Sequence, residues 1–399
     1  MKHIYTIKQI LTQNQAWWNF YKKHQYRLRD AIPKTIIKVL SCRHTVRGYQ
    51  LYNCSDINCS HSKKVPFTCK SKGCSPCGKK ATDNWIQKQK NILPNTSWQH
   101  ITFTMPDVLW DFFWHNRQLL NVIGKIAADC IMDISSKKNI TPGIFIAIHT
   151  FGRDLKRNVH IHLSTTLGGI TKDGSQWKNL FFNQSTLMRM WRYSIITLFR
   201  EEYNKQSLII PSKIQRQLNH TFTFNNLLDK LYNKTWIVHC SKPSDNYKKN
   251  VNYLGRYVKR PPISQSKIKH YDGISVSSKY LDHNTNRYRN FKMSVEKFIA
   301  SFIQHIPDIG FRMIRYYGFL SNRLRGKMLP DVYKLLNQEV EKQTASVSYV
   351  QLMIQNFQTN PLKCTICGKD MLLTAIKFGI TNIQKLLGYH YQLALMKKI

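Results

Sequence analysis

Val159-His160-Ile161-His162-Leu163 is the stretch on which the reading of the chain turns. Successive side chains of a β-strand alternate between faces, so Val159, Ile161 and Leu163 point into a core while His160 and His162 point to the other side. Two imidazoles on one rigid face make a preorganised chelate. Upstream, Ile144 to Thr150 is a second strand candidate in which Ile144, Ile146 and Ile148 take the core side. That alternation puts His149 with Phe145 and Ala147 on the opposite side, where it can supply a third ligand. The connector Gly152-Arg153-Asp154-Leu155-Lys156-Arg157 is short enough for a hairpin, and Gly168-Gly169 ends the second strand, Asn158 to Thr165. Three imidazoles with open positions suit a divalent ion that also takes phosphate oxygens, Mg²⁺ or Mn²⁺.

Outward from the hairpin, Ile101-Thr102-Phe103-Thr104 has strand character closed by Met105-Pro106, and Asp107 opens a helical pattern through Leu109, Phe112, Phe113, Leu119, Leu120, Ile123 and Ile126. A further helix carries Leu187, Met190, Trp191, Ile195, Ile196 and Leu198. Residues 203–235 are polar, rich in Asn and Lys, and read as an insertion or subdomain. Trp236 to Cys240 is a strand candidate, Tyr247 to Tyr257 a helix stopped by Pro261-Pro262, and 265–292 a run of strands and turns. Ser294 is placed to cap a helix through Val295, Phe298, Ile299, Phe302 and Ile306. Residues 1–40, with Trp17, Trp18, Tyr21, Lys22 and Lys23, read as a basic helical lead-in.

Lys and Arg number 61 against 21 Asp and Glu over 399 residues, a formal charge of +40, which makes a polyanion the leading partner. A hydrophobic content of 42% is too high for a disordered basic tail that merely coats nucleic acid. Apolar runs such as Ile144 to Ile148 stop far short of the roughly 20 residues that span a bilayer, and no leader pattern opens the chain, so neither membrane insertion nor secretion is expected.

Six of the ten cysteines, Cys42, Cys54, Cys59, Cys69, Cys74 and Cys77, crowd one loop-rich region at about 41–80. Thiolates at short spacings, in a protein expected in a reducing cytoplasm, point to structural Zn²⁺. Four ligands suffice for one ion, and the reading selects Cys54, Cys59, Cys74 and Cys77, with Cys69, Cys42 and His61 as rivals. Cys364-x2-Cys367-Gly368 near the other end is half of a zinc ribbon, completed by something distant or left as a remnant.

Tyr253-Leu254-Gly255-Arg256-Tyr257 places two phenols at i and i+4, on one face of a helix. A phenol with a pKa near 10 is a poor nucleophile unless a base or metal assists it, and Arg256, Lys259 and Arg260 provide cationic surroundings that favour phenolate and hold a phosphodiester. Arg315-Tyr316-Tyr317 mixes cation and aromatic rings in a composition suited to gripping a single strand.

Together these residues resemble the two-tyrosine rolling-circle transposases of bacterial insertion sequences, in the HUH endonuclease superfamily. The resemblance runs through Phe103-Thr104-Met105-Pro106, through His149 to Leu155, His160-Ile161-His162 and Gly168-Gly169, then Tyr253 to Tyr257 and Arg260 to Ser264, and Phe298-Ile299, His305-Ile306-Pro307 and Arg315 to Phe319. It covers about residues 40–370. It implies that His160 and His162 hold a metal that polarises a scissile phosphate, and that Tyr253 or Tyr257 attacks it to leave a 5′-phosphotyrosine and a free 3′-OH. Two tyrosines then permit successive cleavage and transfer. The partners implied are single-stranded DNA at the transposon ends and target DNA, without a nucleotide cofactor, and no Gly-x4-Gly-Lys-Ser/Thr motif is present. The family also carries an N-terminal zinc-binding domain, with a closer first Cys pair and a His where Gly73 stands here.

The expected architecture is α+β: a lead-in and zinc module at 1–94, a nuclease domain on a central antiparallel sheet with flanking helices at 95–265, and a mostly helical basic region at 266–399. The expected location is the bacterial cytoplasm, at the nucleoid. Two rivals share part of the pattern: a replication initiator or relaxase with the same chemistry, and a zinc-dependent DNA-binding protein whose nuclease site has decayed.

Overall fold

A computed structural model describes residues 5–396 except 153, 246–247, 249–250, 253–254, 256–261, 283–284, 340–347, 349, 352 and 355–357. The fold is α+β, with three antiparallel sheets among the described residues.

The expected hairpin is the spine of the largest sheet. Strands β4 (Ile140–Phe151) and β5 (Arg157–Thr171) pair antiparallel with His149 opposite His160 and Ala147 opposite His162. β3 (Trp98–Phe103) lies on the far side of β5, with Thr102 opposite His162, and β7 (Val238–Cys240) pairs with β3. β6 (Trp177–Asn179) pairs with the outer half of β5. The opposite edge comes from far along the chain: β11 (Ile314–Gly318) pairs with β4, with Tyr316 opposite Phe145. Gly318 sits at φ +59°, where a Cβ would meet the Pro142 carbonyl oxygen at 1.8 Å, so the close approach at this end of the β11–β4 pair requires glycine.

Alternation then separates the two faces. Ile144, Ile146, Ile148, Val159, Ile161, Leu163, Ile101 and Phe103 are buried beneath two long helices, α6 (Leu119–Ser136) and α7 (Gln184–Asn204). Asn183 caps the latter, its side chain accepting from the Thr186 N–H. The stretch expected as an insertion belongs to this core. Its helix Phe224–Tyr232, closed by a Thr223/Asn226 capping box, buries Phe224, Leu227, Leu228 and Leu231, and Phe224 packs on Phe112 and Tyr203. The polar composition of 203–235 describes its solvent face alone.

The N-terminal module holds helices α1 (Ile7–Thr12), α2 (Ala16–His24), α3 (Ala31–Leu40) and α4 (Ser75–Lys90), around a sheet in which β1 (Gly48–Cys54) pairs with β2 (Ser62–Pro66). The other neighbour of β1 is β12 (Met371–Phe378). Helix Val295–Ile303, capped by Ser294 as expected, packs Phe298, Ile299 and Phe302 into the same core as Trp17, Ile36 and Ile37. A third sheet, β8 (Ile268–Tyr271), β9 (Ser275–Asp282) and β10 (Arg287–Ser294), precedes that helix. The region after 265 therefore gives β12 to the N-terminal sheet and β11 to the large sheet as well as helices, and the linear boundaries at 94 and 265 do not divide the molecule in space.

Candidate metal centres and nucleic-acid groove

The sheet face away from α6 and α7 carries the imidazoles. His149, His160 and His162 bring one ligand nitrogen each to within 4.8 Å of one another. His160 Nε2 lies 3.1 Å from His162 Nε2, and an octahedral shell with bonds of about 2.1 Å puts adjacent donors about 3 Å apart. His160 Nδ1–H donates to the Asn158 carbonyl at 2.9 Å, which leaves its Nε2 lone pair for a ligand role. Burial lowers the His160 pKa to about 4 and that of His162 well below its usual value, so both rings are neutral near pH 7, the form that binds a cation. The donor set therefore fits a divalent ion, and His149, His160 and His162 would hold it.

A fourth histidine, not singled out in the sequence, supports this group. His100 on β3 is buried, stacks on His162 and places Nε2 3.1 Å from His162 Nδ1. Thr102 Oγ1 lies 3.2 Å from the same His100 nitrogen. With His162 Nε2 turned to the ligand site, its Nδ1–H donates to His100 Nε2, which fixes the ring plane. Burial lowers the His100 pKa to about 4 and keeps it an acceptor. The signal was present: His100, Thr102 and Thr104 alternate with Ile101 and Phe103, but only pairing with β5 puts them beside His162.

Cys42, Cys69, Cys74 and Cys77 converge in the core of the N-terminal module, all four buried. Sγ separations of 3.6 Å link Cys42 to Cys77, Cys69 to Cys77 and Cys74 to Cys42. A tetrahedral site with Zn–S bonds of about 2.3 Å has edges of about 3.8 Å, so the geometry fits zinc. Cys74 caps α4 and Cys77 lies in its first turn, where the positive helix end favours thiolate. The Cys42 pKa is lowered to about 7, chiefly by hydrogen bonding with Cys69. Cys54 and Cys59 stand elsewhere, beside Cys364 and Cys367, with His61 Nδ1 3.1 Å from Cys364 Sγ. The quartet Cys54, Cys59, Cys74 and Cys77 is thus corrected: it takes one pair from each of two clusters. Linear proximity misled, because β1 and β2 carry the first pair away from α4 and toward β12.

Helix α4 joins the cysteines to the histidine face. It starts at the buried quartet and runs across the sheet, where Trp85 packs against Phe145 and donates its Nε1–H to the Tyr316 hydroxyl at 2.8 Å. Tyr253, Tyr257, Arg256, Lys259 and Arg260 lie outside the described residues. Their described helical neighbours Val251 and Gly255 pack here: Val251 is fully buried with Trp85, Phe145 and Ala147, and a Cβ on Gly255 would meet Ile86 Cδ1 at 2.4 Å.

A cleft of about 1440 Å³ opens along α4, lined by Lys38, Arg43, Lys88, Arg325, Trp85 and Tyr316 among others. Cations with aromatic rings in one groove are what a nucleic-acid strand requires. The Arg315-Tyr316-Tyr317 run divides: Tyr316 joins this groove, Tyr317 packs on the α6 side of the sheet, and Arg315 donates to the Asn121 carbonyl at 2.7 Å. Burial raises the pKa of both Tyr316 and Tyr317, so neither is a ready phenolate.

An antiparallel sheet with a three-histidine face, a cysteine-built module and a basic groove defines a metal-using, DNA-handling protein. Comparison with known proteins specifies the class. Residues 12–105 match the family described as “Transposase zinc-binding domain”, and residues 143–327 match the one described as “Putative transposase”. The chain belongs to the family of insertion-sequence transposases that carry an N-terminal zinc-binding domain. It is 38% identical over 376 residues to the transposase for insertion sequence element IS801 of Pseudomonas savastanoi pv. phaseolicola, a match that covers 94% of this chain and 90% of that protein. It is 26% identical over 375 residues to the protein named “Putative transposase y4qJ” of Sinorhizobium fredii (strain NBRC 101917 / NGR234), covering 91% and 94%. No solved structure gives a significant match. The chain is therefore a zinc-binding transposase that acts on DNA, and among the described residues no helix is long and apolar enough to cross a membrane.

Proposed function

We propose that this transposase cleaves and rejoins single-stranded DNA at the ends of its element by metal-assisted tyrosine transesterification, the chemistry of rolling-circle transposition. The observation that carries the reading is the convergence of His149, His160 and His162 on one sheet face. Val251 and Gly255, helical neighbours of the two tyrosines, pack on α4 beside that face, which supports a nucleophile delivered from the same side.

A bound Mg²⁺ or Mn²⁺ supplies Lewis-acid polarisation of a non-bridging phosphate oxygen. His149, His160 and His162 would hold it through one ring nitrogen each, and His100 would keep the His162 ring in place. Tyr253 or Tyr257 attacks phosphorus through Oη; the Oη–P bond forms, the P–O3′ bond breaks, and the 3′ oxygen leaves and takes up a proton. The 5′-phosphotyrosine conserves the phosphodiester, so a 3′-OH reverses the step without nucleotide hydrolysis, and the second tyrosine permits a second exchange. Arg256, Lys259 and Arg260 neutralise phosphates next to the nucleophiles, while the groove along α4 holds the strand. Cys42, Cys69, Cys74 and Cys77 would hold a structural zinc that fixes the start of α4 and hence the wall over the site. Such a substrate puts the protein at the nucleoid of a bacterial cytoplasm.

The test is to compare wild type with His160→Ala plus His162→Ala on labelled single-stranded DNA bearing the element ends. The expected result is retained DNA binding with loss of Mg²⁺- or Mn²⁺-dependent cleavage. Undiminished cleavage by the double variant overturns the reading.

A further inference from the structure

Cys54, Cys59, Cys364 and Cys367 lie outside the catalytic reading and outside the buried quartet, yet their four Sγ atoms converge within 4.8 Å. Cys54 Sγ is 3.3 Å from Cys367 Sγ, and Cys59 Sγ is 3.8 Å from Cys364 Sγ. These separations bracket those between the buried thiols and fall close to the edge of about 3.8 Å expected of a zinc tetrathiolate. Each half has the form of a metal knuckle, in which the amide two residues on points back at the sulfur. The Asp56 N–H donates to Cys54 Sγ and the Ile366 N–H to Cys364 Sγ, both at 3.4 Å. Such donors stabilise a thiolate rather than a thiol.

The backbone brings the halves together. β1 and β12 pair, with a register shift between Leu51 and Tyr52, as far as Cys54 opposite Met371, and the Ser55 N–H donates to the Asp370 carbonyl at 2.9 Å just beyond. Lys369 pairs with Asp56 at 2.9 Å, and Lys63 Nζ donates to the Pro361 carbonyl at 3.0 Å. The two loops are thus docked by contacts independent of any ion, and the thiols meet at their junction. Lys369 offsets part of the charge of four thiolates, and His61 Nδ1 lies 3.1 Å from Cys364 Sγ.

We propose that these four cysteines bind a second Zn²⁺, distinct from the ion of the buried quartet, which clasps the C-terminal segment to the N-terminal module. The site cannot be completed within either matched family segment, because Cys364 and Cys367 follow both. Residue 54 is bridged to residue 367 across the whole transposase domain, and the strand following the knuckle is held on β1. The clasp is the more exposed of the two sites, with Cys367 at the surface, so it exchanges metal faster.

The test is metal content of the full-length protein, purified with reductant and zinc and then desalted, by inductively coupled plasma mass spectrometry. Release to a chromogenic chelator and Co²⁺ substitution accompany it. Wild type is expected to hold two cysteine-bound zinc ions per chain, released in a fast and a slow phase, beyond any ion on the imidazole face, which His160→Ala plus His162→Ala removes. Cys364→Ser plus Cys367→Ser is expected to lose one ion, the fast phase and about half of the tetrathiolate Co²⁺ absorption, while His160-dependent DNA cleavage tests a different site. Cys54→Ser alone is expected to lose the same ion, which guards against a folding artefact at the C-terminal end. Unchanged metal content in both variants overturns the proposal, and so does a mass two protons low from a Cys54–Cys367 disulfide in reductant-treated wild type.

Discussion

Replacing His100 by Leu removes the acceptor beside His162 while keeping the buried volume similar. His100 Nε2 stands 3.1 Å from His162 Nδ1, and Thr102 Oγ1 is at 3.5 Å, too long to replace it fully. Loss of such an outer partner costs about 10- to 100-fold in metal affinity, or about 1.4 to 2.7 kcal/mol. Apolar replacement of a ring with a pKa of about 4 changes no charge at neutral pH, so the effect comes from orientation rather than electrostatics. His100→Gln, whose amide oxygen can accept in place of Nε2, is expected to recover most of the affinity. The assay is Mn²⁺ titration followed by electron paramagnetic resonance on wild type and both variants, with thermal melts to verify folding. If His100→Leu binds Mn²⁺ as tightly as wild type while His160→Ala does not, His100 does not position His162 and the reasoning fails.

Three further outcomes follow from particular contacts. Gly255→Ala forces Ile86 aside, since its Cβ would lie 2.4 Å from Cδ1 and 2.5 Å from Cγ1; a loss of about 1–3 kcal/mol is expected by denaturant melts, with partial recovery in Gly255→Ala plus Ile86→Ala. His305, buried with its Nε2–H donating to the Leu155 carbonyl at 2.9 Å, has its pKa lowered by burial from 6.5 to about 4. Between those values the unfolded chain binds the extra proton, so stability is intact above pH 6.5 and falls by up to about 3 kcal/mol as pH drops to 4; His305→Gln should flatten that part of the stability profile. Lys88→Gln and Arg325→Gln in the groove should each lower the salt slope of single-strand binding by about 0.7, and unchanged slopes would remove these side chains from the DNA path.

Period-two alternation is the most informative pattern in the sequence. Ile144 to Ile148 and Val159 to Leu163 are long, regular and buried on one side, so the hairpin, its core face and the company of His149 with His160 and His162 are all legible in the order of the residues. Partners set by distant pairing are not. His100 reaches His162 through the β3–β5 register, and Cys54 reaches Cys367 through the β1–β12 register, with no local pattern to announce either. Arg315-Tyr316-Tyr317 suggests one gripping surface by composition, but in a strand neighbouring residues face opposite ways, and Tyr316 and Tyr317 part company across the sheet. In 203–235 the apolar stripe of Phe224, Leu227, Leu228 and Leu231 is diluted by the Asn and Lys around it, which hides a core helix.

A covalent link between a tyrosine and DNA can be trapped. Protein incubated with Mn²⁺ and labelled single-stranded DNA carrying the element ends is denatured, digested and mapped by mass spectrometry. A DNA adduct is expected on a peptide containing Tyr253 or Tyr257, absent with EDTA and absent in the variant with both Tyr253→Phe and Tyr257→Phe. Cleavage that persists in the double variant, or an adduct mapped to another residue, would contradict tyrosine transesterification.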